Sequence, residues 1–280
     1  MRIRAFNVME VCSTLSRCLC TLLIALVFLA LFATAALADR PKTNSHIVFM
    51  IGEDEYKTWE TLPEFVKTDL EPRGLRVTIV HADPQDKNNF PGLVAALGDA
   101  DLLFISLRRR TPLKEQLDAV RAHLNAGKPL IGIRTACHAF APQPKDKETV
   151  AANPKLAAWA EFDPEVLGGH YTGHYGASPK TSISVVPGAG AHPILSGVDV
   201  SKLQGNGSLY KVSPLSETAS PLLTGAIPGA DSEPVAWTRS YGPKKARIFF
   251  TSLGHPDDFS NPEFRRLLSN GIQWALQPSP

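Results

Sequence analysis

The stretch PLIGIRTACHAF, residues 129–140, decides the fold of this chain. It opens with a short apolar run, and such a run bounded by turn residues is typical of a buried strand. Gly127 and Pro129 predict that the preceding helix stops there. Beyond Gly132 the pattern predicts a tight turn into a helix. In a parallel sheet a turn of this kind lies at the carboxyl edge, where ligands bind.

Similar apolar runs alternate with amphipathic helical patterns along the chain. Buried strands separated by helices imply a parallel sheet with right-handed crossovers. We therefore expect an α/β fold of the flavodoxin-like type, a doubly wound, mostly parallel sheet with helices on both faces. The predicted strands cover 46–52, 75–82, 101–107, 129–133, 181–187, 220–227, 234–240 and 246–253, and the predicted helices lie near 62–70, 90–98, 112–126 and 261–276.

Residues 46–277 are expected to form one domain, because no repeat or low-complexity linker divides them. Residues 139–180 break the alternation and are rich in proline and glycine. Long excursions of this kind in compact domains are usually functional or disordered. Residues 39–45 are predicted to be a short linker.

Residues 1–38 are predicted to be a secretory signal peptide. Three arginines precede an apolar run that ends in the tripeptide ALA at 36–38, an order typical of a cleaved leader. We therefore expect an exported protein, either periplasmic or secreted. The apolar run is about 20 residues long, close to the length of a membrane span, so an uncleaved N-terminal membrane anchor is the alternative.

The mature chain is formally neutral. Removing the three arginines and Glu10 of the leader from the 29 basic and 27 acidic residues leaves 26 of each. A neutral chain offers no single-sign field to gather nucleic acid or an anionic membrane, so we exclude nucleic acid as a partner. A membrane is a partner only if the N-terminal segment is retained as an anchor. Cys137 is the only cysteine after the leader, and an internal disulfide is therefore impossible.

Four polar segments are expected at the carboxyl edge of the sheet: GEDEYKTWE (52–60), RRRTP (108–112), RTACHAF (134–140) and GHPDDF (254–259). In the last of them, His255 is suited to proton transfer near neutral pH, and Asp257 or Asp258 is placed to orient it. The alternative is a surface loop in which one of these aspartates caps the final helix.

A strand that enters a tight turn, together with a distal His-Pro-acid motif, resembles the class I glutamine amidotransferase scaffold, whose turn carries a cysteine nucleophile after Gly-x. Aligning Gly132 with that glycine puts Arg134 at the nucleophile position and Cys137 three residues later. Three residues are nearly one helical turn, so Cys137 is expected to pack as a small buried apolar residue. A nucleophilic, metal-binding or redox cysteine is the alternative.

Seven motifs follow one another along the chain: IGEDEYKTWETLPEF, RRRTPLKEQLDAVRAHLNAGKPLIGIRTACHAF, LGGHYTGHYG, HPILSGV, GSLYKVSPL, PVAWTR and RIFFTSLGHPDDFSNPEFRRLLSNGIQWAL. Their order, over about 46–276, resembles a narrower group, the trehalose-utilisation (ThuA-like) domain family. The resemblance implies an amidotransferase-like fold without the cysteine triad, linked to carbohydrate use and in particular to oxidised (keto) glycosides.

The remaining candidates surround the predicted turn. Arg134 and His138 are expected to hold substrate oxygens, or Arg134 to pair with Glu53 or Glu55. Carboxylates beside aromatic rings suit sugars, while acids near a helix start are also favourable for the helix alone. One of three successive arginines is expected to clamp a ligand, since all three cannot face it. The predicted substrate-binding residues in these segments are Glu53, Glu55, Tyr56, Trp59 and Arg109.

The loop GGHYTGHYG, residues 168–176, supplies His170, Tyr171 and His174. Two histidines four apart would share one face of a helix, as a zinc site needs, but the glycines of this loop favour irregular backbone. We therefore expect a polar and aromatic loop that closes over a sugar. Zinc at His170 and His174 and a merely structural loop are the alternatives, and no other cofactor is predicted.

Three functions are compatible with the sequence. The first is an exported carbohydrate-active protein that acts on a sugar or keto-glycoside by acid–base chemistry, with His255 moving the proton. The second is a cysteine-dependent hydrolase or amidotransferase relative that uses Cys137. The third is a non-catalytic sugar-binding module.

Overall fold

The computed structural model describes residues 44–176 and 178–277, so the predicted leader lies outside the described residues. The strands, in chain order, are β1 (His46–Gly52), β2 (Arg76–His81), β3 (Leu102–Leu107), β4 (Leu130–Ile133), β5 (Gly173–His174), β6 (Thr181–Val185), β7 (Gln204–Gly205), β8 (Tyr210–Lys211), β9 (Ala219–Ala226), β10 (Glu233–Tyr241) and β11 (Ala246–Thr251). The α-helices are α1 (Thr58–Phe65), α2 (Leu93–Gly98), α3 (Lys114–Asn125), α4 (Lys147–Ala152) and α5 (Pro262–Leu276).

One half of the central sheet is parallel. Its strands lie in the order β2-β1-β3-β4-β11, and every neighbouring pair among them is parallel. This is the 2-1-3-4-5 order of flavodoxin-like folds, with β11 as the fifth strand and a topological switch point between β1 and β3. The predicted doubly wound α/β fold is confirmed.

The other half of the sheet is antiparallel. It continues from β11 through β10, β9 and β6 to β7. Each strand predicted from the sequence is present, with ends shifted by at most two residues. The predicted excursion, 139–180, contains α4, a π-type turn over Asp163–Leu167 and β5, which pairs with β8 in a separate two-stranded ribbon.

Helices cover both faces of the parallel half. Because successive side chains of a strand point to opposite faces, Ile47 and Phe49 join the core under α1 and α5, whereas Val48 joins the core under α2 and α3. Both cores are buried, which explains why these strands are nearly continuous apolar runs in the sequence. Among the described residues, no helix combines the length and the apolar character that crossing a membrane requires.

Gly271 allows α5 to pack closely against β11. A Cβ atom at Gly271 would lie 2.5 Å from Cδ1 of Phe249. We expect Gly271→Ala to lower the free energy of unfolding by roughly 1–3 kcal/mol, the usual cost of overpacking a core. Urea denaturation monitored by circular dichroism measures this change.

Gly98→Ala is the matched control, because a Cβ atom at this helical glycine would meet nothing within 4 Å. Alanine loses less backbone entropy than glycine on entering a helix, so this variant should be as stable as the parent chain or more stable. If Gly271→Ala is as stable as the parent chain, the α5–β11 contact accommodates the added methyl group without loss of stability.

Candidate functional site

Arg134 begins the 3₁₀ turn Arg134–His138 directly after β4. Its backbone φ is 49°, in the left-handed region that residues other than glycine rarely adopt. Lys57 after β1 (φ 52°) and Arg109 after β3 (φ 51°) share this conformation. Three strained residues therefore follow three neighbouring parallel strands, and such strain persists only where the surrounding contacts fix it.

Four hydrogen bonds hold the Arg134 guanidinium. Nη1 donates to the carbonyl oxygens of Ser208 (2.9 Å) and Ser252 (2.8 Å). Nη2 donates to Tyr56 Oη (3.1 Å) and to Ser208 Oγ (3.0 Å). These bonds use every proton on the two terminal nitrogens. Arg134 therefore positions protein groups, and the predicted direct hold on a substrate oxygen would require one of these bonds to break.

Two tyrosine rings enclose the same cation. Arg134 Cζ lies 4.7 Å from the ring centroid of Tyr56 and 4.1 Å from that of Tyr210. Burial lowers the pKa of Arg134, but the Tyr210, Tyr56 and Asp258 side chains outweigh it and the pKa lies above its ordinary value. A Cβ atom at Gly207 would lie 2.5 Å from Arg134 Nη2, so only glycine fits where this loop crosses the guanidinium.

His138 and Tyr171 extend this group of rings. The Tyr171 ring centroid lies 4.8 Å from that of Tyr210 and 4.8 Å from that of His138. Burial, assisted by the neighbouring guanidinium groups with Arg109 first among them, lowers the pKa of His138 to about 3. His138 is therefore neutral at physiological pH, and it cannot supply a proton as an imidazolium ion.

Cys137 lies in the same turn but packs in the core under α2 and α3. Its Sγ is 3.2 Å from His138 Nδ1. Burial, together with the Asp163 carboxylate, raises the pKa of the Cys137 thiol well above its ordinary value. A nucleophilic cysteine needs a lowered pKa and access to solvent. The placement of Cys137 agrees with the predicted packing role.

His255 begins the turn that follows β11. Its Nδ1 accepts a hydrogen bond from the Asp257 backbone N–H (3.2 Å), and its ring centroid lies 6.1 Å from that of Tyr56. The Asp257 side chain lies in solvent, with Oδ2 at 3.6 Å from His255 Nδ1. We call the six residues joined by these contacts the Arg134 cluster: Arg134, Tyr56, Tyr210, Tyr171, His138 and His255.

The buried aspartate of the His255 turn is Asp258. Its Oδ2 accepts from the backbone N–H groups of Gly254 (2.8 Å) and His255 (2.9 Å). Its Oδ1 accepts from the backbone N–H (3.1 Å) and Nδ2 (2.7 Å) of Asn206. Asp258 thus ties the turn after β11 to the loop that crosses Arg134.

Glu53 is buried and closes the turn after β1. Its Oε2 accepts from the N–H groups of Glu55 and Tyr56, both at 2.6 Å. Its Oε1 accepts from the N–H and the hydroxyl of Thr58, both at 2.7 Å. Both carboxylate oxygens are thus bonded within residues 53–58, and Glu53 fixes the backbone of Tyr56. This position fits the alternative interpretation of Glu53 as an acid near a helix start.

Other predicted binding residues lie outside the Arg134 cluster. Glu55 forms an ion pair with Arg108 (2.7 Å between Oε2 and Nε). Arg109 donates from its backbone N–H to the His138 carbonyl oxygen (3.1 Å), and its Nη1 lies 3.5 Å from the Pro142 carbonyl oxygen. The four bonds of Arg134 go to other residues, so its predicted pairing with Glu53 or Glu55 is not made.

His170 and His174 are exposed in the loop before and within β5. The His170 N–H donates to the Val212 carbonyl oxygen (3.1 Å), and His174 Nδ1 is bonded to the Tyr175 carbonyl oxygen (2.7 Å). Over 44–176 and 178–277, no group of three or more His, Cys, Asp or Glu side chains is arranged to hold a metal ion. The geometry therefore offers no third ligand for the predicted zinc.

Asp163 is a buried group that the sequence analysis did not select. Its Oδ2 accepts from the Tyr171 N–H (2.7 Å), whereas its buried Oδ1 has no hydrogen-bond partner among the described residues. A Cβ atom at Gly169 would lie 2.5 Å from that oxygen. Burial raises the pKa of Asp163 to about 6, against the hydrogen bond from Tyr171. Asp163 therefore holds the loop that places Tyr171 in the Arg134 cluster.

Ser208 and Tyr210 were also missed as site residues. They lie in the motif GSLYKVSPL, which the sequence analysis used only for the family resemblance. Neither follows a strand of the parallel half, because β8 belongs to the separate ribbon. The strand-end rule that selected Arg134 and His255 therefore could not select them.

The chain matches a known family and several solved structures. The family model described as ThuA, trehalose utilisation, matches residues 76–275. A ThuA-like protein from Bacteroides uniformis ATCC 8492 is 15% identical with a TM-score of 0.60, over 84% of this chain and 92% of that chain. One from Parabacteroides merdae ATCC 43184 is 18% identical with a TM-score of 0.55, over 85% and 93%. No curated protein matches.

Alkylation kinetics test the placement of Cys137. Because its thiol is buried and its pKa is raised, we expect iodoacetamide at pH 8 to modify it at least about 100-fold more slowly in the native protein than in urea. Peptide mass spectrometry of the Cys137 peptide gives both rates. A native rate equal to or above the unfolded rate would identify a reactive thiolate and revive the cysteine nucleophile.

Asp163 predicts a pH-dependent stability. Its folded pKa of about 6 lies above the ordinary value of 3.8 for an aspartate, so the folded chain binds this proton more tightly than the unfolded chain does. The stability that the protonated group contributes is complete below about pH 4 and is lost as pH rises through 6. Replacing it by a neutral amide, Asp163→Asn, should remove this loss.

The measurement is urea denaturation of both chains at several pH values between 4 and 7. The unfolding free energy of Asp163→Asn should rise relative to the parent chain by up to about 3 kcal/mol across this range. Asp118→Asn, in which an exposed carboxylate beside Lys114 and Arg121 is neutralised, should show no such rise. If the difference in unfolding free energy between Asp163→Asn and the parent chain does not change with pH, Asp163 does not titrate in this range.

Proposed function

The chain belongs to the ThuA, trehalose utilisation, family, and from this premise we propose that it is an exported carbohydrate-active protein that acts on a sugar or keto-glycoside by acid–base chemistry at the Arg134 cluster. The observation that carries the proposal is that the Tyr56 and His255 rings meet edge to face, with 6.1 Å between their centroids, beside a cation that donates to the Tyr56 hydroxyl. The proposed binding partner of the protein is a small carbohydrate.

Tyr56 supplies a proton donor of fixed position. Its Oη accepts a hydrogen bond from Arg134 Nη2, which leaves the proton of the phenol for another acceptor. A charged donor polarises the hydroxyl and strengthens the hydrogen bond that it gives. Because Glu53 fixes the backbone at Tyr56 and Arg134 fixes the oxygen, this donor needs little rearrangement to meet a carbonyl oxygen of the substrate.

His255 provides the base. In the structure Nδ1 accepts from the Asp257 N–H, so the neutral ring carries its proton on Nε2. A lone pair on Nε2 requires the other tautomer, in which Nδ1 carries the proton and gives up the bond from the Asp257 N–H. The Asp257 carboxylate, with Oδ2 at 3.6 Å from Nδ1, is the group that would accept this proton after a small approach, which is the orienting role that we propose for it.

A keto-glycoside suits these two groups. A ketone acidifies the C–H bond beside it, so His255 Nε2 can take that proton while negative charge develops on the carbonyl oxygen. The Tyr56 hydroxyl donates to this oxygen and stabilises the charge. Arg134 acts through Tyr56. The neutral His138 ring packs against the Tyr171 ring, with 4.8 Å between their centroids.

A non-catalytic sugar-binding module is the second candidate. It is favoured by one observation, namely that two of the four predicted catalytic side chains have little chemistry to offer. The terminal protons of Arg134 are all bonded to protein, and His138 is buried and neutral. A glycan that binds in calorimetry and never changes in mass would select this candidate.

Turnover by His255→Ala tests the catalytic role. Purified protein is incubated with a panel of glycosides and 3-keto-glycosides, with and without chelator, and products are read by mass spectrometry. We expect His255→Ala to lower kcat/KM by roughly 100- to 10,000-fold, the usual contribution of a general base. Tyr56→Phe should also lower it, because the donor to the carbonyl oxygen is lost.

His192→Ala is the matched control. His192 also precedes a proline in a 3₁₀ turn, and its Nδ1 accepts from the Ile194 N–H (3.2 Å) as His255 Nδ1 does from Asp257. The variant loses the same turn cap away from the Arg134 cluster and should keep full turnover. If His255→Ala turns over every substrate like the parent chain while remaining folded, His255 is not the base.

A further inference from the structure

A second cleft lies at the carboxyl ends of β1 and β2, beside the switch point between β1 and β3. It has a volume of about 360 Å³, and Trp59 lines it. Tyr56, a member of the Arg134 cluster, lies only three residues before Trp59 in the sequence but does not line this cleft. No member of that cluster lines it. The residues that define this Trp59 cleft are Asp54, Trp59, His81, Lys87 and Arg110.

Asp54 lies between two cations in the wall of the cleft. Its Oδ1 is 2.8 Å from Lys87 Nζ, and its Oδ2 is 2.6 Å from Arg110 Nη2. Burial raises the pKa of Asp54, but Lys87 and Arg110 outweigh it and the pKa lies below its ordinary value. The wall therefore presents a carboxylate and two cations side by side, which offers both acceptors and donors.

Arg110 is the buried member of this wall. The residue is 8% exposed, and its buried Nε has no hydrogen-bond partner among the described residues. A buried guanidinium is costly unless its donors are bonded. The Nη2 of this guanidinium donates to Asp54 in the cleft wall, whereas its Nε is enclosed by protein and, like Arg134 Nε, has no partner among the described residues.

Trp59 supplies the apolar surface of the cleft. Its side chain is 39% exposed, and it is one of three large apolar residues that the described part of the chain leaves exposed, with Val94 and Val185. An indole face in a polar cleft is suited to stack on the CH face of a sugar ring. Burying this face under a ligand would remove apolar area from water.

We propose that the Trp59 cleft is a second saccharide subsite that binds one neutral sugar ring. Trp59 stacks on the ring, Asp54 accepts from its hydroxyls, and Lys87 and Arg110 donate to its oxygens. The volume is at the low end of ligand pockets, which suits one sugar unit. The lining holds three carboxylates, Glu53, Asp54 and Asp83, against two cations, Lys87 and Arg110, and this balance disfavours phosphate and acidic sugars. The subsite rests on the carbohydrate class of the proposed function and on none of its catalytic residues.

The test measures binding of methyl α-D-glucopyranoside and methyl β-D-galactopyranoside, with D-glucuronate and inorganic phosphate as anionic probes. Calorimetry gives Kd, and the indole N–H signal of Trp59, assigned by its loss in Trp59→Phe, reports contact at the cleft. We expect a neutral glycoside to shift this signal, and its Kd to rise about tenfold or more in Trp59→Ala and in Asp54→Asn. Trp59→Phe, which keeps a ring, should retain most of the affinity.

Asp118→Asn is the matched control for Asp54→Asn, since Asp118 is also held by a lysine and an arginine but lies on α3 away from the cleft. It should bind like the parent chain. The subsite is refuted if no neutral glycoside shifts the Trp59 signal, if Trp59→Ala binds as tightly as the parent, or if either anion binds more tightly than the glycosides.

The two proposals fail separately. Loss of turnover in His255→Ala with unchanged glycoside binding in Trp59→Ala refutes the subsite and leaves the catalytic role standing. Glycoside binding that depends on Trp59, in a protein that converts no substrate, supports the subsite and refutes the catalytic role.

Discussion

A buried guanidinium with all its terminal protons bonded is the interaction on which the carboxyl edge of this sheet depends. Arg134 joins the segment after β1, through Tyr56, to the loop before β8, through Ser208, and to the end of β11, through Ser252. These segments are far apart in sequence and come from both halves of the sheet. Removing one partner would leave a buried N–H of a charged group without an acceptor, so the arrangement is held as a unit.

The charge of Arg134 also sets the chemistry of its neighbours. It is among the cations that oppose protonation of His138, and it donates a hydrogen bond to the Tyr56 hydroxyl. A cysteine at the same elbow would supply a reactive group, whereas this arginine supplies a fixed, buried positive charge. The groups that remain available to a ligand are then the Tyr56 hydroxyl and the imidazole of His255.

The sequence predicted the parallel half of the fold well for a physical reason. Those strands are buried on both faces, so each is a continuous apolar run between helices. The β5–β8 ribbon has two residues in each strand, too few for any periodicity to appear. The strand-end rule placed Arg134, His138, Tyr56 and His255 in one region. It could not select Ser208 from a loop, Asp163 from a turn or Tyr210 from the two-residue strand β8.

What the sequence could not indicate was how the selected side chains are used. Two of the four hydrogen bonds of Arg134 go to backbone carbonyl oxygens. Every residue type has this group, so the sequence does not indicate these bonds. Glu53 and Trp59 were grouped by proximity in sequence, yet the first is engaged by its own turn and the second faces a different cleft. Segment 53–59 thus serves two places at one edge, a division that only the backbone path reveals.

The bond between Asn206 and Asp258 bears on protein modification. Asn206, Gly207 and Ser208 spell an N-glycosylation sequon. The acceptor nitrogen of Asn206 is bonded to buried Asp258, and the Ser208 hydroxyl is bonded to Arg134. An oligosaccharide added to that nitrogen before folding would keep this loop from closing over the cation, and after folding the nitrogen is already occupied. The hydrogen bonds of this loop are therefore incompatible with an oligosaccharide on the Asn206 side-chain nitrogen.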